Sequence, residues 1–179
     1  MLFRSPEVTG LWKSDGTSAG TIRVKALEHI TKFQDFAAEN LTNVRGTLFF
    51  TAFSSTNGTE LWRSDGTESG TFMIRDLTPG FSSSSPTSPL TTGPMDLTEV
   101  NGSLFFSGFT SEFGSELYKS DGTFDGTVLF KDINSGTSGS EPRDLINVNG
   151  VLFFRADNGT SGDELFRSNG SAEIGRAHV

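Results

Sequence analysis

Cysteine is absent from the 179 residues, which excludes a disulfide framework, a thiol nucleophile and a thiolate metal site. Histidine is nearly absent, with only His29 and His178. No apolar run approaches the ~18 residues that a membrane-spanning helix needs, so membrane insertion is not expected. Basic residues are few: 14 Lys and Arg stand against 22 Asp and Glu, for a net charge of −8. Without a basic stripe to neutralise phosphate, nucleic acid is not an expected partner. Hydrophobic residues make up only 34%, too polar a composition for a helical bundle. What the chain does have is glycine, 21 residues, and phenylalanine, 17, and so many aromatics do not suit a disordered segment.

The glycines and aromatics recur in order. Leu11-Trp12-Lys13-Ser14-Asp15-Gly16-Thr17 returns as Leu61-Trp62-Arg63-Ser64-Asp65-Gly66-Thr67 and as Leu117-Tyr118-Lys119-Ser120-Asp121-Gly122-Thr123. It decays to Leu165-Phe166-Arg167-Ser168-Asn169-Gly170-Ser171, with spacings of 50, 56 and 48 residues between the acidic or amide positions. Leu48-Phe49-Phe50, Leu104-Phe105-Phe106 and Leu152-Phe153-Phe154 keep step at 56 and 48. Two motifs in constant phase define an internal repeat. The unit reads as four short strands: Leu97 to Val100, an Asn101-Gly102 hairpin turn, Leu104 to Phe109, Glu116 to Ser120 closed by Asp121-Gly122, and Thr127 to Ile133. Repeats of this length with four strands each indicate propeller blades. The fold expected is all-β: a β-propeller-like array of four-stranded antiparallel blades, two complete and two partial, forming an open fragment of a larger propeller.

The expected organisation is a partial first blade and connector over 1–34, a second blade over 35–78, and a Ser/Pro-rich inter-blade insertion over 79–94. A third blade then spans 95–134, a partial fourth blade 135–172, and a non-native tail 173–179. The stretch from Phe81 to Pro89 is too polar to bury and reads as a tolerated insertion or, less simply, a binding loop. Glu28 to Asn40 is the one segment with helical spacing, at Phe33, Phe36 and Ala37, but it occupies the inter-blade position of the first unit and reads as a connector. The chain opens inside a unit, with Leu2-Phe3 as a strand remnant, and Arg4 and Pro6 interrupt any secretory h-region. From Glu173 to Val179 the repeat breaks, and the reverse translation of these seven residues matches read-through into a sequencing adapter. The expected array has three, four, four and three strands, with Leu2, Phe3, Phe153 and Phe154 on exposed end faces, and such faces favour self-association.

The motif resembles the ELWxxDGT repeat of bacterial proteins. Glu60-Leu61-Trp62 through Asp65-Gly66-Thr67 and Gly70-Thr71 fits fully. Glu116 through Thr123, Gly126-Thr127 and Lys131-Asp132-Ile133 fits with Tyr118 in place of Trp. The first unit departs at Gly10 and Ala26, and the last at Phe166, Asn169 and Ser171. The resemblance implies propeller blades within large secreted or cell-surface bacterial proteins. It implies no chemistry.

No catalytic, cofactor-binding or metal-binding residue is assigned, and no cofactor is expected. His29 lies in a connector with no nucleophile elbow nearby. Asp65, Asp121, Glu60 and Glu116 occur once per unit, as fold-building positions do, whereas a catalytic carboxylate pair normally breaks the repeat. Asp15, Asp65 and Asp121 could each offer a carboxylate to calcium, or could accept hydrogen bonds from their own turn, which needs no metal and is the expectation. Asp157 to Glu164 lacks the ligand alternation of a calcium loop. Trp12, Trp62, Tyr118 and Phe166 share one repeat position and are expected in inter-blade core, with Trp62→Ala costing about 3–5 kcal/mol. Asn40, Asn57, Asn101, Asn158 and Asn169 begin Asn-X-Ser/Thr triplets, read here as turn residues. The expected function is a non-catalytic, extracellular or cell-surface scaffold for adhesion or protein interaction, with a protein or glycan partner. A carbohydrate-binding module is the alternative, and a propeller-based hydrolase the third.

Overall fold

The computed structural model describes residues 9–28, 38–79, 93–171 and 174–176. Leu2, Phe3, His29, His178, residues 29–37 of the expected connector and the Ser/Pro stretch 81–89 lie outside the described residues. All the described secondary structure is β. Sheet 1 has β1 (Gly10–Lys13) and β2 (Ile22–Ala26); sheet 2 has β3 (Glu39–Val44), β4 (Thr47–Ser54), β5 (Gly58–Ser64) and β6 (Phe72–Arg75). Sheet 3 has β7 (Met95–Val100), β8 (Ser103–Thr110), β9 (Gly114–Ser120) and β10 (Val128–Lys131). Sheet 4 has β11 (Arg143–Val148), β12 (Val151–Asp157), β13 (Asp163–Ser168) and β14 (Gly175–Arg176). Every neighbour is antiparallel and next in sequence, so each sheet is a simple meander.

One strand count differs from expectation. Sheet 1 has two strands among the described residues, and the strand expected at Leu2-Phe3 lies outside them. Sheet 4 has four rather than three, because Gly175 and Arg176 pair with Arg167 and Phe166 along the outer edge of β13. An open strand edge offers unpaired N–H and C=O groups to any extended segment beside it, and Arg176 adds an ion pair to Glu164, Nε to Oε2 at 2.6 Å.

The register is common to three sheets: Phe50 opposes Trp62, Phe106 opposes Tyr118 and Phe154 opposes Phe166. Side chains alternate across a strand, so each sheet has two distinct faces. The forward face carries Val44, Phe49 and Leu61 in sheet 2, and Val100, Phe105 and Leu117 in sheet 3. The backward face carries the opposed aromatic pair together with Leu48, Leu104 or Leu152. The core consists of forward faces packed on backward faces. Leu11, Val24 and Leu27 of sheet 1 meet Phe50 and Ala52 of sheet 2. Val44, Phe49 and Leu61 meet Leu104, Phe106 and Tyr118. Val100, Phe105 and Leu117 meet Leu152, Phe154, Ala156 and Phe166. Full burial of one such side chain contributes about 1.5–3 kcal/mol, which lets a polar, glycine-rich chain hold its sheets together.

The end faces carry different residues from those expected. Phe154 is buried against sheet 3 and Phe153 is half-buried. The large apolar side chains exposed on sheet 4 are Ile146, Val148 and Leu165. The reason is strand alternation: Phe154 lies on the backward face, which sheet 3 covers, and Val148, Phe153 and Leu165 lie on the forward face.

Candidate functional site

The Ser-Asp-Gly-Thr-x-x-Gly-Thr segment that follows β1, β5 and β9 is a closed hydrogen-bond circuit. In sheet 2, Asp65 Oδ1 accepts from the Thr67 backbone N–H at 2.8 Å and from the Thr67 hydroxyl at 2.7 Å. Thr67 Oγ1 accepts from Gly70 N at 3.0 Å, and Thr71 Oγ1 donates to Thr67 O at 2.6 Å. With that hydroxyl proton committed, Ser64 Oγ donates to Thr71 Oγ1 at 2.7 Å and accepts from Gly66 N at 3.0 Å. Asp15 and Asp121 repeat the same bonds with Thr17 and Thr123. These bonds, the threonine hydroxyl first, hold all three carboxyls below the usual aspartate range. The second glycine of the motif has its own reason. A Cβ on Gly20, Gly70 or Gly126 would lie 2.0–2.1 Å from the nearest Asp carboxylate atom. Oδ1 of each aspartate thus accepts two bonds from its own turn. Among the described residues, no group of three or more His, Cys, Asp or Glu is arranged to hold a metal.

The glutamate that opens the motif acts differently. Glu60 and Glu116 are fully buried. Glu60 Oε2 accepts from Leu77 N at 3.2 Å and Oε1 from the Thr78 hydroxyl at 3.0 Å. Glu116 accepts from Ile133 N, Asn134 N and the Ser140 hydroxyl at 2.6–3.0 Å. Each carboxyl fastens the third strand of its sheet to the connector that leaves the fourth. Burial pushes Glu60 up to about 8 against these bonds, with a smaller push from Asp76. Burial likewise raises Glu116. Sheet 1 has Gly10 at this place, and sheet 4 has Glu164, paired with Arg176.

In the run from Asp157 to Glu164, the first two side chains accept from the run's own backbone and the two acids at its end pair with arginines outside it. Asp157 Oδ1 accepts from Gly159 N, and Asn158 Oδ1 accepts from the backbone N–H groups of Thr160 and Ser161. Asp163 pairs with Arg143 and Arg155.

The shared aromatic position grades from one end of the chain to the other. Trp12 is 44% exposed, Trp62 is half-buried on Phe50 with ring centroids 6.3 Å apart, and Tyr118 and Phe166 are buried. Leu61 and Trp62 do face opposite sheets, but Trp62 is less enclosed than expected. Sheet 1 covers it with a two-stranded surface among the described residues, where sheets 2 and 3 cover Tyr118 and Phe166 with four strands. Trp62 Nε1 is buried with no hydrogen-bond partner among the described residues.

Polar side chains stitch the same junctions, reaching forward at the turns, while Asn147 Nδ2 reaches back to Glu99 O at 2.8 Å. Lys13 Nζ donates to Gly66 O at 2.8 Å and Arg63 to Gly122 O at 3.2 Å. Lys119 instead lies over the Phe130 ring of its own sheet. Along β3 and β7, the first or inner strands of sheets 2 and 3, Thr42 Oγ1 donates to Leu97 O at 3.2 Å and Thr98 Oγ1 to Leu145 O at 3.0 Å. Asn40, Asp96 and Asp144 begin these ladders at φ of 55–57°, a left-handed conformation that short polar side chains tolerate. The sequence reading missed this position; its signal is the recurrence of Asn/Asp-Leu-x-x-Val before each inner hairpin.

No protein-family model matches the chain, and none of the curated proteins searched matches it. The resemblance to ELWxxDGT repeats therefore rests on the motif residues themselves.

Proposed function

We propose that the chain is a non-catalytic scaffold whose sheets are blades of an open β-propeller-like segment, acting in adhesion or protein interaction at a bacterial cell surface. One observation carries the reading. The repeated acids, the richest stock of potential catalytic or cation-binding groups in the chain, are committed to the protein's own backbone, the aspartates in turns and the buried glutamates in connectors. The sequential meanders and forward-on-backward packing support the blade assignment. The extracellular setting and the ELWxxDGT family follow from the motif resemblance. Cross-linking of the purified chain to intact bacterial surfaces, followed by identification of the captured protein, tests the reading. A single saturable protein target is expected. Turnover of a glycoside or peptide substrate that is lost when one unrepeated carboxylate is changed would overturn it.

A carbohydrate-binding module is the second reading, and the exposed indole of Trp12 favours it, since sugars stack on open aromatic faces. Glycan-array binding abolished by Trp12→Ala would select this reading over the scaffold.

A further inference from the structure

The repeat places the same residue types at every junction, so the two ends of the array can be compared with the interior position by position. On the forward face, Leu61 and Leu117 are 0% exposed, whereas their counterpart Leu165 is 44% exposed. Val44 and Val100 are buried, and their counterpart Val148 is 45% exposed. Arg167 stands where Lys13 and Arg63 reach forward to a turn carbonyl, and it is exposed. Among the described residues, no sheet therefore stands in front of the forward face of the fourth sheet.

The complementary half is at the other end. At every later sheet the Asp-Gly turn, or Asn169-Gly170 in the fourth, meets the sheet behind it. A Cβ on Gly66 would find Lys13 within 3.9 Å, one on Gly122 would find Phe49 and Arg63, and one on Gly170 would find Phe105. A Cβ on Gly16 would find nothing within 4 Å. Gly16 O is the equivalent of the carbonyls that accept from Lys13 and Arg63, and Trp12 beside it is 44% exposed. The inner edge of the fourth sheet agrees with such a partner. Thr42 and Thr98 each give a hydrogen bond to an inner-strand carbonyl of the next sheet, but their counterpart is Ile146. Sheet 1 has no inner strand among the described residues, so it asks for no donor there.

We propose that a second copy of this chain docks head to tail, its first sheet covering the fourth-sheet face with Trp12 against Phe153 and Leu165 and with Arg167 donating to Gly16 O. The junction continues the packing already repeated three times within the chain. It is heterologous, so two copies close on each other if the rotation per sheet allows it. Two copies bring twice four sheets, within the range that propeller rings span. The inference rests on the blade-like stacking under the scaffold reading, but not on any partner at the cell surface.

Sedimentation velocity of the full chain at tens of micromolar tests it. The expected species has twice the 19.3 kDa chain mass. Leu165→Lys and Trp12→Asp, both at exposed positions, each leave a monomer that still melts in one cooperative transition, at a temperature no longer dependent on protein concentration. Mixing the two variants restores pairs, because the intact fourth sheet of one meets the intact first sheet of the other, with affinity reduced at least 10-fold from losing one of two junctions. A wild-type monomer overturns the proposal. So does dissociation by Leu165→Lys with none by Trp12→Asp, since that pattern belongs to two fourth sheets meeting face to face. A monomer that still captures a surface protein leaves the scaffold reading standing, and a dimer with glycosidase activity removes that reading while keeping the junction.

Discussion

Leu117 and Leu165 occupy one position of one motif, on the third strands of adjacent sheets, and they have opposite surroundings. Leu117 is sealed between sheets 3 and 4; Leu165 faces outward with nearly half its surface open. The same contrast separates Val100 from Val148 and Tyr118 from Trp12. The motif specifies a face, and the neighbouring sheet specifies whether that face is core. Stability in this array is therefore held in the layers between sheets, and the terminal sheets carry the same apolar residues without drawing the same return from them.

Leucine truncation breaks the comparison most directly. Leu117→Ala removes a fully enclosed side chain and is expected to cost about 2–5 kcal/mol in denaturant unfolding. Leu165→Ala, measured on monomeric protein, is expected to stay within about 0.5 kcal/mol of wild type. Equal effects would mean that the fourth-sheet face is covered in solution.

The glutamates give the next contrast. Glu116→Ala leaves Ile133 N, Asn134 N and the Ser140 hydroxyl without their acceptor, and the expected loss is about 2 kcal/mol or more. Glu164→Ala removes a partly exposed ion pair with Arg176, worth about 0–1 kcal/mol. Chemical denaturation of both variants checks the ordering.

The two acids of the motif are expected to titrate in opposite senses. Glu60 in the fold sits at about 8, above its ordinary 4.5. Its contribution is complete below pH 4.5 and is lost as pH rises through 8. Asp121 is held below its ordinary 3.8 by Thr123, so its contribution is present above that value and lost in acid. Melting temperature should therefore decline between pH 5 and pH 8.5, and Glu60→Gln should flatten the decline. Parallel pH profiles for the two proteins would show that Glu60 is not the group responsible.

The smallest effect separates two glycines. Gly126→Ala drives a methyl into the Asp121 carboxylate and breaks its bonds to Thr123, at an expected cost of about 0.5–1.5 kcal/mol. Gly175→Ala meets nothing within 4 Å and is expected to be silent. Thermal melts resolve the pair.

Much of this architecture was legible from residue order. The hairpin turn at Asn101-Gly102, the strands on either side and the Asp-Gly closing turn fall where short-range chemistry puts them, because left-handed turn residues and alternating side chains are local properties. The structure added β14, which no residue pattern announces: Gly175 and Arg176 are a strand only because the edge of β13 is open beside them. The Asn40, Asp96 and Asp144 series was present in the sequence but hidden, since a polar residue within a strand reads as surface until its φ is known.

By itself the sequence determined the meander, the register and which residues share a face, all consequences of turn geometry and the two-residue period of a strand. It also determined the aspartate circuit, whose partners lie within a few residues of one another. Only the tertiary structure decided what each face touches. It buried Tyr118 and left Trp12 partly exposed at one motif position, sealed Phe154 and uncovered Leu165, and brought Glu116 to Ser140 across two strands and a connector. Those outcomes depend on where each sheet stands in the stack. A repeated motif cannot encode that position, because it is the same at every step and its neighbours are not.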